Sequence, residues 1–385
     1  MKKQKLILTA LALGLTVLTS CEKENFESTN QQTSSGALSK ENGNNSVGAV
    51  YIMDNSTSGN HVLVYQRSAA GALVNVSNVS TDGIGTGGGL GSQGSLILSE
   101  DNEFLLACNA GSNDLTVFKV NGINLILVDK ISSGGVRPIS ITSHEDYVYV
   151  LNAGGTGNIS GFQLTDEGHL NHISGSEREL SGPSVGAAQI EFNKSGTQLI
   201  VTEKATNNIL SYAINSNGMA SLPTIHPSVG NTPFGFEFGK NDVLIVSDAF
   251  GGMPGASALT SYSLSNAGSL NVVSGPIATT QTAACWVVVT NNNKYCYTTN
   301  TASGNISGYN ISDSGSLTLL QSNGISGITE ASPIDMSLSN NSKFLYTLNS
   351  MSHSISMFKV NNQGELTSLG TLNGLPAGSV GMAAH

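Results

Sequence analysis

Charge is scarce in this 385-residue chain: 11% of its residues are Asp, Glu, Lys or Arg, and 26 acids outnumber 16 bases for a net charge of -10. So few bases on an acidic chain make nucleic acid and anionic polysaccharide poor partners, because both are held through basic stripes. No apolar run reaches the roughly 20 residues that carry a helix across a bilayer core, and no long helical pattern appears after the first twenty residues. Catalytic signatures are also missing: there is no Gly-x-Ser-x-Gly elbow, no phosphate loop and no paired-cysteine motif. Of the seven histidines, His61, His144, His169, His172, His226 and His353 fall in expected turns or outer strands and His385 is the last residue, so metal-ligand spacing is absent. No organic cofactor is called for. What is plentiful is glycine, with 45 residues, which suits tight turns between short polar loops.

The first residues set an address. Lys2, Lys3 and Lys5 precede an uncharged, mostly apolar run from Leu6 to Ser20, which ends at Cys21 and Glu22-Lys23-Glu24. Residues 1–20 therefore read as a signal peptide, too short in its apolar part for a permanent span. Leu18-Thr19-Ser20-Cys21 resembles the lipobox of bacterial lipoproteins, which implies acylation of Cys21 and a membrane lipid anchor. The acidic context after the cysteine resembles outer-membrane lipoproteins, facing the periplasm or the cell surface. Residues 21–47 are polar and nearly free of aliphatic side chains, so they read as the lipidated cysteine and a flexible tether. A coil of that length holds the body about 25 to 30 Å from the lipid.

The remainder, 48–385, repeats. Units of about 46 to 50 residues recur: an apolar strand, a polar turn, a second strand ending in Asn, Asp or Glu, a Ser/Gly/Asn turn, a third strand with an aromatic, and a weaker fourth. Phe104-Leu105-Leu106-Ala107-Cys108-Asn109, Tyr147-Val148-Tyr149-Val150-Leu151-Asn152, Tyr295-Cys296-Tyr297-Thr298-Thr299-Asn300 and Phe344-Leu345-Tyr346-Thr347-Leu348-Asn349 are the second strands of four such units. Four strands per repeat at this period describe propeller blades. The seventh unit is split: Gly48 to Asp54 reads as a second strand whose missing first strand is Val380 to Ala384. The expected fold is all-β, a seven-bladed β-propeller with four antiparallel strands per blade, closed by pairing the chain ends so that no sheet edge stays open. A monomer is expected. Cys285 and Cys296 share a hairpin without standing directly opposite, so buried free thiols are expected ahead of a disulfide.

In such a blade the start of the first strand and the end of the second lie at one mouth of the channel. Second-strand ends supply Asp54, Asn109, Asn152, Glu203, Asp248, Asn300 and Asn349; first-strand starts supply Gln93, Arg137, Gln189, Thr232 and the stretch Gln281 to Trp286. The asparagines read first as turn caps. Glu203, Asp248 and Arg137 break that pattern and are the candidate catalytic groups. Gln93, Asn109, Asn152, Gln189, Gln281, Trp286 and Asn300 are the candidate substrate contacts. Gly251 to Ala258 forms a longer loop that either overhangs the mouth or is plain surface.

The repeat of Pro, apolar residues, a polar turn, Leu-Tyr-Val/Thr-x-Asn and Ser-Asn-x-Ile-Ser-x-Phe/Tyr resembles lactonase-type seven-bladed propellers, the family of 6-phosphogluconolactonase and carboxymuconate lactonizing enzymes, across residues 48 to 385. Leu90 to Gly94, Val201 to Thr206, Thr232 to Phe236 and Thr280 to Trp286 resemble a secreted branch of it. The resemblance implies imidazole, guanidinium and carboxylate groups at the mouth for opening a lactone. This sequence has Gly186-Ala187-Ala188-Gln189 where the family has a His-containing strand, Pro233-Phe234-Gly235 for Pro-Arg-His, and Ser247-Asp248-Ala249 for Asn-Glu-Leu. Both histidines and the arginine are absent. Three readings follow: a hydrolase of a sugar or aromatic-acid lactone using Glu203, Asp248 and Arg137; a non-catalytic propeller binding a small ligand or an envelope protein; and an axial calcium held by Asp54, Glu203 and Asp248. An enzyme requires its three groups to converge on one cavity.

Overall fold

The computed structural model describes residues 48–385. The expected signal (1–20), and Cys21 with the tether (21–47), lie outside the described residues.

Seven antiparallel sheets follow one another along the chain. The first blade joins Val380–Ala384, Gly48–Met53, His61–Arg67 and Leu73–Ser80, so the two ends of the ring meet in one sheet. Blade two is Leu96–Leu98, Phe104–Asn109, Asp114–Asn121 and Asn124–Ser132. Blade four is Ala187–Phe192, Gln198–Glu203, Asn208–Ala213 and Thr224–Pro227, blade five Pro233–Phe238, Val243–Asp248, Ala258–Leu264 and Leu270–Ala278, and blade seven Pro333–Leu338, Phe344–Asn349, Ser354–Val360 and Leu366–Asn373. Blade three (Pro138–His144, Tyr147–Asn152, Asn158–Leu164) and blade six (Ala284–Val289, Tyr295–Asn300, Asn305–Ile311) have outer strands broken in two. The sequence expectation of a seven-bladed propeller with a split blade is met.

Burial explains the strand composition. Each blade is covered on both faces by its neighbours, so second strands such as Phe104–Asn109, Val243–Asp248 and Phe344–Asn349 are buried at all six positions and read as continuous apolar runs. Outer strands such as Leu73–Ser80 are largely exposed and polar. Neighbouring blades are joined by one repeated device. The Tyr149 hydroxyl donates to the Gly218 carbonyl at 2.7 Å, Tyr297 to Gly364 at 2.8 Å and Tyr346 to Gly71 at 2.9 Å. Each of those glycines has positive φ in the outer hairpin turn of the next blade. The third pair runs from blade seven to blade one, so the ring closes with the contact used elsewhere.

Cys108, Cys285 and Cys296 are buried free thiols, and Cys296 stands opposite Val289 rather than Cys285. His144 ends the inner strand of blade three, not a turn or outer strand, and pairs with Glu100 at 2.9 Å. Among the described residues no helix is long and apolar enough to cross a membrane.

Candidate functional site

The inner strands are not regular along their whole length. Pairing with the second strand shifts between Ala187 and Gln189, between Pro233 and Phe236, between Ala284 and Val287, and between Pro333 and Met336. Such bulges break the regular alternation of side chains, and on the channel-facing edge of the inner strands long polar side chains take up the free backbone groups of Phe236 and Val287. Gln189 accepts from the Phe236 N–H at 2.8 Å and donates to the Phe236 carbonyl at 2.9 Å. Gln93 of blade two accepts from the Val287 N–H of blade six at 2.9 Å and donates to the Val287 carbonyl at 2.7 Å. The two amides close the channel between its ends.

Above this plug the glycine-rich linker from blade one to blade two crosses the mouth. Leu90 is buried, the Ser92 hydroxyl donates to the Ile139 carbonyl at 2.7 Å, and the Trp286 indole N–H donates to the Ser92 carbonyl at 3.0 Å. The Lys204 ammonium donates to the Gly91 carbonyl. Beside the linker lies a cleft of about 400 Å³, bordered by Gly88, Gly89, Ser92, Trp286, Asp335 and Gly378. Asp335 is its one carboxyl. It has a φ of 48°, accepts the Met336 N–H at 3.0 Å together with the Gly381 and Met382 amides, and is held well above the usual carboxylate range by burial. Trp286 packs on Phe234 with ring centroids 4.8 Å apart, and the Lys204 ammonium sits 4.7 Å from the centre of the Phe234 ring. Burial pushes Lys204 down to about 8, with the thiol of Cys285 opposing the shift and Arg137 adding to it.

Below the plug a second cavity of about 350 Å³ opens at the base. Gln93, Gln189, Glu191, Lys194, Glu237 and Asp335 are among its lining. Glu191 is raised well above the carboxylate range by burial and by Glu237, while Lys194 is raised chiefly by Glu237, 3.3 Å away.

The expected catalytic carboxylates do not reach either cavity. Glu203 is fully buried and takes the Ser181 N–H at 2.9 Å, the Ser181 hydroxyl and the Thr206 hydroxyl at 2.6 Å. Asp248 is fully buried under the linker between blades four and five, where a Cβ on Gly230 would fall 1.9 Å from its carboxyl carbon, and its one side-chain partner is Thr260 at 2.5 Å. Arg137 is exposed near the mouth. The three groups therefore do not converge: Glu203 and Asp248, at second-strand ends, are buried in bonds to Ser181, Thr206 and Thr260, while Arg137, at a first-strand start, is exposed. The same geometry holds Asp54, which bonds to His61 at 3.0 Å. Among the described residues no three His, Cys, Asp or Glu side chains stand together as a metal site, and Asp54, Glu203 and Asp248 end strands in three different blades.

The asparagines act as inter-strand locks. Asn109 donates to Asp114 at 2.6 Å and Thr116 at 2.9 Å, Asn152 to the Ser133 carbonyl at 3.1 Å, and Asn300 to Asn305 and Ser307, both at 2.8 Å. All three are fully buried. Gln281 bonds to the Asn323 carbonyl at 3.0 Å and to Asn305 at 2.8 Å on the surface of blade six. The loop after Asp248 bonds to Thr282 at the same joint and does not border the cleft. Of the expected contacts, Trp286 lines the cleft, and Gln93 and Gln189 line the second cavity instead. Asp335, Lys204 and Phe234 went unnoticed as site residues. The signal for Asp335 was present: it is the lone acid inside the inner strand Pro333–Leu338.

The chain matches the family model described as lactonase, seven-bladed β-propeller, over residues 47–177 and 254–379, more than half its length. The unmatched interval contains Gln189, Glu203, Lys204, Phe234 and Asp248. No match is found among curated proteins. In fold, the chain is similar to a candidate 6-phosphogluconolactonase of Bacteroides fragilis (16% identity, TM-score 0.68, 90% of this chain and 100% of that one). It is also similar to one from Bacteroides uniformis (18%, 0.66, 86% and 99%) and to the periplasmic gluconolactonase of Pseudomonas aeruginosa (13%, 0.64, 86% and 98%). With blades, closure and matched segments in agreement, the chain belongs to the seven-bladed β-propeller lactonase family.

Proposed function

We propose that this propeller opens a small sugar or aromatic-acid lactone in the mouth cleft, and that a lipid on Cys21 holds it at the outer membrane. The observation that carries the first part is the pairing of one buried carboxyl, Asp335, with one aromatic wall, Trp286, around a cleft at the mouth. Ring opening needs a base for the attacking water and stabilisation of the oxyanion. A carboxyl held above its usual range is a stronger base once ionised, and protonated it can return the proton to the leaving alkoxide. Trp286 offers a flat apolar face for a ring, and Arg137 and Lys204 bring positive charge to the same mouth. A second reading, a propeller that binds its ligand without turnover, is favoured by the three amides already bonded to Asp335.

The test is acid release by protein starting at Val47 across a panel of sugar and aromatic-acid lactones, beside Asp335→Asn, Glu203→Gln and Asp248→Asn. Turnover lost only in Asp335→Asn supports hydrolysis in the cleft. Trp286 is the chain's single tryptophan, so its fluorescence reports occupancy independently. Quenching by a lactone without turnover selects the binding reading, and neither signal removes lactones as ligands. The anchor is tested separately by Cys21→Ser, which should release the protein from the membrane fraction.

A further inference from the structure

We propose that the mouth cleft selects an uncharged aryl lactone with few hydroxyls, over phosphorylated, carboxylated or sugar lactones. This rests on the cleft being the site of ring opening, and it narrows the substrate class. Asp335 is the one charged side chain that borders the cleft, and no Lys, Arg or His does. An anionic group on a ligand would lose its water there without gaining a counter-charge, and an ionised Asp335 would repel it. Arg137 and Lys204 stand outside the lining, and the Lys204 ammonium is already taken up by the Gly91 carbonyl and the Phe234 ring.

The neutral polar groups of the cleft are also committed within the protein. The hydroxyls of Ser92, Ser350 and Ser379 donate to the carbonyls of Ile139 at 2.7 Å, Ser332 at 3.2 Å and Pro376 at 2.8 Å. Asn55, 1% exposed, donates to the Gly88 carbonyl at 2.7 Å and to the Gly378 carbonyl at 3.4 Å, so one buried amide ties the two glycine walls together and occupies a carbonyl of each. The Ser92 carbonyl is held by the Trp286 indole. Beyond these groups the lining is apolar, with Trp286, Ile334 and Val380 beside the bare backbone of Gly88 and Gly89. A sugar ring would bury hydroxyls with few partners, each unpaired one weakening binding about tenfold. An aryl ring buries no hydroxyl and packs on the indole.

The chemistry favours the same class. Asp335 takes a proton from water as the water oxygen attacks the lactone carbonyl carbon, the ring C–O bond breaks, and the released oxygen ends with that proton. A phenol oxygen, with a pKa of about 10 like that of tyrosine, departs as phenolate before it is protonated, whereas a sugar alkoxide needs an acid as it leaves. The aryl lactone therefore asks less of a cleft that holds one carboxyl and neither imidazole nor guanidinium.

Ring preference is measured first without turnover. Calorimetric titration of protein starting at Val47 with 1-tetralone, a bicyclic aryl ketone that water cannot open, is compared with titration by glucose and by glucose 6-phosphate. Tetralone should bind at least about tenfold more tightly than glucose, and glucose 6-phosphate should not bind. Ser350→Lys places an ammonium on the cleft, so it should weaken tetralone and admit glucose 6-phosphate. Glucose or its phosphate binding as tightly as tetralone overturns the proposal, as does tetralone that fails to bind or is indifferent to Ser350→Lys. Acid release from dihydrocoumarin and from gluconolactone, above their spontaneous rates, then tests turnover. Tetralone binding with neither lactone opened upholds the ring preference and rejects hydrolysis, whereas gluconolactone opened faster than dihydrocoumarin upholds hydrolysis and rejects the preference.

Discussion

Gln93 and Val287, 194 positions apart in sequence, are joined across the propeller axis by two hydrogen bonds of 2.9 and 2.7 Å. One side-chain amide thus satisfies both backbone groups of Val287 on the open, channel-facing edge of the inner strand of blade six. Replacing Gln93 with Ala leaves a buried N–H and a buried carbonyl without partners, a loss on the order of 3 kcal/mol. It also removes a lining residue of the 350 Å³ cavity. Chemical denaturation should show the stability loss, and acrylamide should quench Trp286 more strongly in the variant. Unaltered unfolding would mean that water replaces the amide at no cost.

Asp248 occupies a position where blades two, three, six and seven carry Asn109, Asn152, Asn300 and Asn349. Burial raises its carboxyl from 3.8 to about 7, with the bond from Thr260 opposing the shift, and one carboxyl oxygen lacks a partner. The folded chain therefore keeps a proton that the unfolded chain releases between about pH 4 and 7. Stability from this group is full below that window and lost as pH rises through it, on the order of 4 kcal/mol in all. Asp248→Asn should remove this slope, leaving the variant more stable than the parent at pH 8. Urea unfolding at pH 5 and pH 8 measures it directly. Parallel pH profiles in the two proteins would place the titrating group elsewhere.

Glycines of the linkers between blades fall into two classes. A Cβ on Gly83 would lie 2.2 Å from the Asn109 side chain, whereas one on Gly88 would meet nothing within 4 Å. Gly83→Ala should therefore cost about 1 to 3 kcal/mol through overpacking, and Gly88→Ala should leave the melting temperature unchanged. Because Gly88 borders the mouth cleft, that second variant is also a clean probe of ligand access.

The fold was legible because propeller blades repeat. An apolar second strand ending in Asn, Asp or Glu recurs at each unit, four of them with aromatics and Asn, and the partial unit at Gly48 to Asp54 could be completed by Val380 to Ala384 alone. The site was less legible, for a geometric reason. Strand ends identify the mouth but not whether a side chain points along the axis or between blades, and Glu203 and Asp248 point between. The bulges at Gln189 and Asp335 break the strand alternation without leaving a mark in composition, and Gln93 precedes its blade's inner strand altogether. Lys204 could not be singled out because its neighbours Phe234 and Gly91 come from other blades.

Ring closure gives the sharpest test of how the molecule holds together. Val380–Ala384 pairs antiparallel with Val50 to Met53, and every residue of both segments is buried. Removing Ser379 to His385 exposes one edge of the Gly48–Met53 strand and takes away the Gly381 and Met382 amides that hold the Asp335 carboxyl. A bare strand edge recruits other chains. The truncated protein should thus melt at lower temperature and elute as oligomers. Tyr346→Phe offers a graded comparison, since it deletes only the hydroxyl bonded to Gly71, worth about 1 kcal/mol. Calorimetry and size-exclusion chromatography on both variants should give a small shift with a monomer for the point change, and a large shift with self-association for the truncation. Equal, small effects would show that the ring is held by packing between blades, with little contribution from the shared sheet.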